Sequence, residues 1–375
     1  MTRKSPLLFE EFSGLEEKIP HRSFVQQTAV HKLKSLSEEV NANLWIKRDD
    51  QTTDIYGGNK PRKLEFVLAD ALAKGKSNVI TIGGTGSNHC LATSIYAKQL
   101  NLNPILILFN QPITPDVQKK LLIFQSLGAE ILGPYSEVWG FFHYLIFSRV
   151  RKNTYFLPVG GSTPLGILGF VNAAFELKSQ IENNEMPKPE YIFVTCGTMG
   201  TMAGLLLGCQ LANLDSKIIG VRVVQKMVAY FNFTFSFANA VRKIARKTLK
   251  FLRKKESSIP KIKFKEKPAV IHDFYGGAYG RVTSEGVKAI ELMKQHEDIT
   301  LDTTYTGKTF AALLNFIKEN EIREAPVLFW NTYNSVDISN LKSPSVTYKD
   351  LPKSFHKIFE IDIDVKLIDG VAAGY

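Results

Sequence analysis

Residues 57–65 read Gly-Gly-Asn-Lys-Pro-Arg-Lys-Leu-Glu, a glycine pair followed by a lysine at the mouth of a predicted helix. Pro61 suits the first helical position, because its missing N–H has no intrahelical partner there, and it disfavours helical geometry in the residue before it. The pattern therefore predicts that Lys60 caps the helix on a tight loop. An amine with a fixed position and partial desolvation can act as a Schiff-base nucleophile, although a lysine after a turn is more often an exposed surface group.

The composition is that of a globular protein with room for two domains or one large α/β unit. The chain has 375 residues, of which 44% are hydrophobic and 22% are charged. No apolar run approaches the length of a bilayer span, and no secretory signal follows Arg3 and Lys4, so no membrane span is expected. The spacing of Cys90, Cys196 and Cys209 fits neither a metal site nor a disulfide framework. These features predict a reducing, cytoplasmic location and no bound metal.

The net charge of +11 is concentrated in one segment. Residues 242–267 contain twelve basic and two acidic side chains, so this segment carries +10 of the total. Apolar residues at helical spacing predict an amphipathic helix over 234–255, followed by a charged loop that ends at Pro268, and we treat 240–268 as a basic insert. A solvated helix at the protein edge is the favoured interpretation. Contact with nucleic acid or an anionic membrane surface is the alternative.

Short apolar segments alternate with helical patterns along the chain. The predicted strands are Leu44–Lys47, Asn78–Ile82, Pro104–Phe109, Tyr191–Cys196, Lys217–Val224 and Pro326–Trp330. The predicted helices include Pro61–Ala73, His89–Leu100, Thr114–Leu127, Met199–Leu214, Thr283–Lys294 and Lys308–Lys318. This alternation predicts an α/β fold whose parallel strands are covered by helices on both faces.

Two further glycine-rich segments connect a predicted strand to a predicted helix. Residues 82–89 read Ile-Gly-Gly-Thr-Gly-Ser-Asn-His, and amides at such a helix start bind anions such as a carboxylate, with Ser87 and Asn88 as added donors. Residues 194–201 read Val-Thr-Cys-Gly-Thr-Met-Gly-Thr, which lets backbone amides approach a phosphate without matching a nucleotide loop. A capped turn remains the alternative for each segment.

Two tyrosines also lie near glycines. Tyr279 belongs to the stretch 275–280, Tyr-Gly-Gly-Ala-Tyr-Gly, and Tyr305 belongs to 301–308, Leu-Asp-Thr-Thr-Tyr-Thr-Gly-Lys. Either ring can face a flat ligand, or it can be an ordinary half-buried aromatic. Together with the lysine, the carboxylate nest and the phosphate cradle, they form the set of groups that pyridoxal-phosphate chemistry requires.

On these segments, together with Lys47-Arg48-Asp49-Asp50, the chain resembles the fold-type-II pyridoxal-phosphate enzymes, specifically the 1-aminocyclopropane-1-carboxylate deaminase and D-cysteine desulfhydrase group. The resemblance covers roughly residues 20–335. It implies a tryptophan synthase beta-like architecture of two open, mostly parallel twisted sheets flanked by helices. It also implies a smaller domain at 61–165, a larger cofactor-binding domain from 1–60 and 166–375, a cofactor in the cleft between them, and a homodimer.

The resemblance further implies a role for each matching residue. Lys60 binds pyridoxal 5'-phosphate covalently and moves the substrate Cα proton, and Asn88 bonds the cofactor 3-hydroxyl oxygen. Ser87, Asn88 and His89 form the site for the carboxylate of a small amino-acid substrate, and Ser87, Tyr279 and Tyr305 assist proton transfer. Tyr305 lies against the pyridine ring. The cofactor phosphate binds to Gly197, Thr198, Met199, Gly200 and Thr201.

The chain departs from the family pattern at several positions. Gly86 replaces the usual Gln before Ser-Asn, residues 27–29 read Gln-Thr-Ala instead of Pro-Thr-Pro, and residues 331–334 read Asn-Thr-Tyr-Asn instead of His-Thr-Gly-Gly. Thr332 is retained and can bond the pyridine nitrogen. Thr306 stands where the deaminase usually has Glu, which favours α,β-elimination of the D-cysteine desulfhydrase type. Ring-opening deamination, racemisation, or a catalytically drifted relative with an anion-binding basic patch are the alternatives.

Overall fold

The structure is a computed structural model that describes residues 5–225, 236–264 and 266–361. It divides into two compact units. Among the described residues, the first unit combines those up to Phe66 with those of 162–335, and the second combines Val67–Gly161 with those from Val336 to Ile361. The sequence had suggested that the chain beyond 335 belongs to the larger domain, whereas here it groups with the smaller unit. The domain boundaries at 61 and 165 stay a prediction.

The helices and strands follow one another in a regular α/β order. The strands are β1 (Val30–Lys32), β2 (Leu44–Lys47), β3 (Asn78–Gly84), β4 (Asn103–Phe109), β5 (Glu130–Tyr135), β6 (Thr154–Phe156), β7 (Tyr191–Cys196), β8 (Lys217–Arg222), β9 (Ala269–Ile271) and β10 (Val327–Trp330). The α-helices are α1 (Leu7–Glu11), α2 (Lys34–Glu39), α3 (Asn59–Ala73), α4 (Asn88–Gln99), α5 (Pro115–Ser126), α6 (Glu137–Val150), α7 (Leu168–Glu182), α8 (Gly200–Leu211), α9 (Phe237–Lys255), α10 (Ser284–Glu297) and α11 (Thr306–Glu319).

Each unit is built on one sheet. The first unit has a six-stranded sheet in the order β1-β2-β10-β7-β8-β9, in which only the β1–β2 pair is antiparallel. The second unit has a four-stranded parallel sheet in the order β5-β4-β3-β6. Helices flank both sheets. The predicted fold class, two mostly parallel sheets with helices around them, is therefore confirmed.

The start of α3 corrects one prediction. Lys60 was expected to cap this helix, but the helix begins at Asn59, so Lys60 is its second residue and Pro61 its third. Proline is tolerated there because the first four N–H groups of a helix have no intrahelical acceptor. The preference of proline against a helical predecessor is overcome by tertiary contacts, among them the hydrogen bond from the Asn59 amide to the Thr332 carbonyl at 3.2 Å.

The basic segment forms the predicted amphipathic helix. Ser236 caps α9 through its hydroxyl, which accepts a hydrogen bond from the Asn239 amide. The apolar face is buried in the core of the first unit through Val241, Ala245 and Leu252. The start of the predicted range, at 234 and 235, and Lys265 lie outside the described residues. Contact of this segment with nucleic acid or an anionic surface stays a prediction.

Within the described residues no helix is both long and apolar enough to cross a bilayer. The same residues contain no group of three or more His, Cys, Asp or Glu side chains arranged to hold a metal ion.

A buried cluster of charged groups ties four elements of the first unit together. Arg62 on α3 donates hydrogen bonds to both carboxylate oxygens of Asp49, at 2.6 and 2.8 Å, and to Glu176 on α7 at 2.9 Å. Lys47, at the end of β2, is fully buried and forms an ion pair with Glu176. Trp330, at the end of β10, donates its indole N–H to Asp49 at 2.7 Å. Two cations and two anions balance, as buried charges require.

The charge balance sets the ionisation of the cluster. Burial alone would raise the pKa of Glu176, but Arg62 and Lys47 hold the pKa well below its usual range. Glu176 is therefore an anion at every ordinary pH. It contributes stability above the pH at which an unfolded glutamate ionises, and that contribution is lost as the pH falls.

We predict that Glu176→Gln lowers the free energy of unfolding by about 3–5 kcal/mol, because it leaves two buried cations under-compensated. Denaturant unfolding at neutral pH measures this loss. The matched control is Glu182→Gln on the same helix, whose side chain is 63% exposed, with an expected change within about 0.5 kcal/mol. The difference between wild type and Glu176→Gln should shrink below about pH 4. Equal stability of the two variants at neutral pH would contradict the assignment.

Candidate functional site

The lysine loop is held by the segment that follows β10. The Gly57 amide donates to the Asn334 side-chain oxygen at 2.6 Å, and the Asn59 amide donates to the Thr332 carbonyl at 3.2 Å. The altered residues 331–334 therefore brace the loop that leads into α3, immediately before Lys60. This bracing fixes the position of the amine, which is the first requirement for a lysine nucleophile.

Two lysines lie one turn apart on α3. Burial lowers the pKa of Lys60 to about 8. Lys63 is only 1% exposed, and burial first, then the neighbouring Lys60 charge, lower its pKa well below that of an ordinary lysine. Because burial and the Lys60 charge both disfavour the protonated form of Lys63, an anion bound beside Lys63 would be stabilising. Lys63 was not singled out from the sequence.

The loop from β7 to α8 lies against Lys63. Met199 adopts the left-handed conformation, with φ 65°, and α8 begins at Gly200. A Cβ added at Gly200 would lie 2.4 Å from the Ser162 hydroxyl oxygen and 2.9 Å from the Lys63 amine nitrogen. The glycine therefore keeps open a place where backbone amides, a hydroxyl and a lysine amine converge. Such a place suits a phosphate group.

Side-chain hydroxyls complete this cradle. The side-chain Nδ2 of Asn59 donates to the Thr201 hydroxyl at 3.1 Å, and the hydroxyls of Ser162 and Thr198 are 2.8 Å apart. The cradle thus brings Thr198, Gly200 and Thr201 of the predicted loop together with Asn59, Lys63 and Ser162. Of the three additional residues, Lys63 alone had a signal in the sequence: it lies three positions after Lys60, so both lysines fall on one face of a helix.

The two predicted tyrosines meet within the first unit. The Tyr279 and Tyr305 hydroxyls form a short hydrogen bond. Burial, followed by the proximity of Tyr279, raises the pKa of Tyr305 well above its usual value. The Asp302 carboxylate fixes the start of α11 by accepting hydrogen bonds from the Thr304, Tyr305 and Thr306 amides. The Thr306 hydroxyl also donates to Asp302, at 2.6 Å, so that hydroxyl is already engaged.

In the second unit, the predicted carboxylate nest lies at the start of α4. Ser87 caps this helix, since its hydroxyl oxygen accepts a hydrogen bond from the Cys90 amide at 3.3 Å. The Asn88 side-chain oxygen accepts from the Lys120 ammonium at 2.6 Å, and Lys120 also pairs with Asp116. Because the Asn88 side-chain oxygen accepts from this cation, the NH₂ group of the same amide is the donor that Asn88 can offer to a ligand. Lys120, a buried lysine, was not recognised from the sequence.

His89 and Thr85 belong to the interior of the same unit. The Thr81 hydroxyl donates to the Leu157 carbonyl at 2.9 Å and lies 3.0 Å from His89 Nε2, so Nε2 carries the proton in that contact. The role of His89 in substrate binding stays a prediction. The Thr85 hydroxyl is buried and has no hydrogen-bond partner among the described residues.

The comparison with protein families covers most of the chain. Residues 22–332 match the family described as "Pyridoxal-phosphate dependent enzyme". The chain belongs to this family. Its cofactor is therefore pyridoxal phosphate, and the protein is an enzyme.

Curated relatives and a solved structure agree with this assignment. The chain is 32% identical to the "Putative 1-aminocyclopropane-1-carboxylate deaminase" of Pyrococcus abyssi over 82% of this chain and 88% of the relative. It is 31% identical to the D-cysteine desulfhydrase of Serratia proteamaculans over 81% of this chain and 90% of the relative. The crystal structure of an ACC deaminase homologue superposes with a TM-score of 0.73 at 29% identity, covering 93% of this chain and 98% of that one.

The site residues of the first unit fit the cofactor of this pyridoxal-phosphate enzyme. The steric gap at Gly200, together with the Lys63 amine, which a bound anion would protonate, and the α8 amides, suits a phosphate dianion. Lys60, with its depressed pKa, supplies the amine that an aldehyde cofactor requires. The roles of the individual residues, including Ser87 and Asn88 in the second unit, remain predictions.

We predict that Gly200→Ala raises the dissociation constant for pyridoxal phosphate at least about tenfold, because the new methyl group would occupy the phosphate cradle. Fluorescence titration of the apoprotein with the cofactor measures this change. Gly140→Ala is the control, since a Cβ at that position meets nothing closer than 3.6 Å. Unchanged affinity in Gly200→Ala would place the phosphate elsewhere.

We also predict how cofactor loading depends on pH. With a pKa of about 8, the neutral fraction of Lys60 rises roughly tenfold between pH 7 and pH 9 and then levels off. The rate of covalent loading, trapped with borohydride and followed by intact-protein mass spectrometry, should show the same profile. A free lysine derivative, measured in parallel, corrects for titration of the cofactor itself. A rate that keeps rising towards pH 10.5 would mean that the pKa of Lys60 is not depressed.

Proposed function

We propose that this pyridoxal-phosphate enzyme is a lyase that removes a β substituent from a small amino acid, with D-cysteine as the model substrate. The observation that carries the choice is Thr306. The deaminase pattern has Glu at this position, whereas here a threonine directs its hydroxyl to Asp302 and is fully buried. The site therefore lacks a carboxylate at that position, which favours elimination over ring opening.

When bound, the cofactor supplies an electron-withdrawing pyridine ring that stabilises negative charge on the substrate Cα. Lys60 would hold the cofactor and, once displaced by the substrate amine, take the Cα proton with its neutral amine. Its depressed pKa supports this role, because a base works best when its pKa lies near the operating pH. In the net reaction, loss of thiolate from Cβ and addition of one water would convert the substrate to sulfide, a keto acid and ammonia.

The tyrosine pair would serve proton transfer. The raised pKa of Tyr305 keeps its phenol protonated, so the pair can donate a proton to a leaving thiolate. Ser87 and the α4 amides would bind the substrate carboxylate, since the Ser87 hydroxyl retains its proton while its oxygen accepts from Cys90. Asn88, oriented by Lys120, would donate its NH₂ to the cofactor 3-hydroxyl oxygen. The Thr332 hydroxyl would bond the pyridine nitrogen.

A side-by-side assay tests the reaction. We expect keto-acid and sulfide release from D-cysteine and little keto acid from 1-aminocyclopropane-1-carboxylate. Lys60→Ala should lose at least about a thousandfold in rate together with the borohydride-trapped adduct. Lys74→Ala, at a side chain that is 58% exposed, is the control and should keep both.

Each alternative has a distinct outcome in that assay. Keto acid from the cyclopropane substrate alone would identify the deaminase, and inversion of the D-amino acid without keto acid would identify a racemase. An adduct on Lys60 without turnover of any amino acid would favour a drifted relative that binds the cofactor only.

We also propose that the protein acts as a homodimer in the cytoplasm. The first point follows the family resemblance. The second is supported by Cys90, Cys196 and Cys209, which are all free thiols buried in the fold, as is usual where no oxidising machinery is present.

A further inference from the structure

One face of α6 leaves large apolar side chains in water. Six of them have exposed fractions between 46% and 64%, namely Val138, Trp139, Phe141, Phe142, Ile146 and Val150. At helical spacing these residues form one broad face that runs along the whole element. Single exposed apolar residues are ordinary, but a contiguous face of this kind marks an interaction surface.

The opposite face of α6 is anchored to its own unit. Tyr144 is buried with the isoleucines of β3 and β4, and a Cβ at Gly140 would lie 3.6–3.7 Å from Phe109, Ile82 and Tyr135. His143 stacks on Tyr135 with ring centroids 4.3 Å apart. The helix is therefore held on the sheet, with the apolar face pointing away from it.

We propose that α6 pairs antiparallel with α6 of a second copy of this chain, so that the two apolar faces cover each other around a two-fold axis. The six side chains expose on the order of 600 Å² of apolar surface, which approaches the roughly 800 Å² that each partner buries in a standard protein interface. An isologous contact between identical patches is the commonest way in which such a surface is closed.

An antiparallel pair also opposes the two helix dipoles, which favours this arrangement.

A membrane surface fits less well. Residues 138–147 contain no Lys, Arg, Asp or Glu, whereas interfacial helices present a cationic polar face to lipid headgroups. The polar face that lipid would require is replaced here by contacts with the sheet.

Cysteine cross-linking of the full-length holoprotein tests the pairing directly. Burial raises the pKa of the native Cys90, Cys196 and Cys209 thiols to about 12, so these thiols should remain unreactive. Phe142 lies in the middle of the exposed face, close to the proposed axis. We expect Phe142→Cys to form a disulfide-linked dimer with diamide, which takes up the two electrons. Val282→Cys, at an exposed position in the first unit, should not cross-link.

Light scattering across a wide concentration range gives the second readout. Phe142→Glu should raise the dimer dissociation constant by about a hundredfold or more, whereas Val282→Glu should leave it unchanged. A dimer that resists Phe142→Glu, or absence of the Phe142→Cys cross-link, would overturn the α6 interface while the homodimer stands. A wild-type monomer at every concentration would overturn both.

Flotation with phosphatidylcholine vesicles containing phosphatidylglycerol separates the lipid alternative. Flotation of a monomeric wild type that is lost in Phe142→Glu would assign the face to lipid and overturn the pairing. None of these outcomes depends on the substrate, so failure of this inference and failure of the proposed reaction remain distinguishable.

Discussion

The first unit depends on a charge balance that water does not reach. Arg62 lies two residues beyond Lys60, and its guanidinium joins Asp49 and Glu176 in the interior. Trp330 lies two residues before Thr332 and donates to the same Asp49. The lysine loop and its brace are therefore attached to one ionic cluster. Removing any single charge would leave its partners buried and unpaired, so the cluster fixes its members more strictly than apolar packing could.

The inner strands of both sheets could be predicted from the sequence, and the edge strands could not. The six predicted strands correspond to β2, β3, β4, β7, β8 and β10, which all have neighbours on both sides. The four that were missed, β1, β5, β6 and β9, lie at the sheet edges. An inner parallel strand is covered on both faces and reads as an unbroken apolar run, whereas a short edge strand is partly wetted and carries a mixed pattern.

The candidate site shows a similar division. The glycines and the Ser-Asn pair can be recognised in the sequence because few other residues suit tight loops and helix starts. Lys63 and Lys120 cannot be recognised in this way, because whether a lysine is buried or solvated depends on residues that are distant in the sequence. The pairing of Lys60 with Lys63 also explains why the unit suits an anionic cofactor. The Lys60 charge helps to lower the pKa of Lys63, and a negative group bound beside Lys63 would restore its protonated form.

The hydrogen bonds between the segment before Lys60 and residues 332–334 join parts of the chain that are synthesised at different times. The Gly57 amide and its Asn334 acceptor are separated by 277 positions, and β10 must insert between β2 and β7 before that bond can form. Because the ribosome synthesises the N-terminal part first, a contact between such distant segments cannot form until the later segment has been made. The nascent chain therefore lacks the bonds from Gly57 and Asn59 to residues 332–334 through most of its synthesis. Completion of the proposed cofactor site becomes a late event, because it waits until β10 has emerged from the exit tunnel.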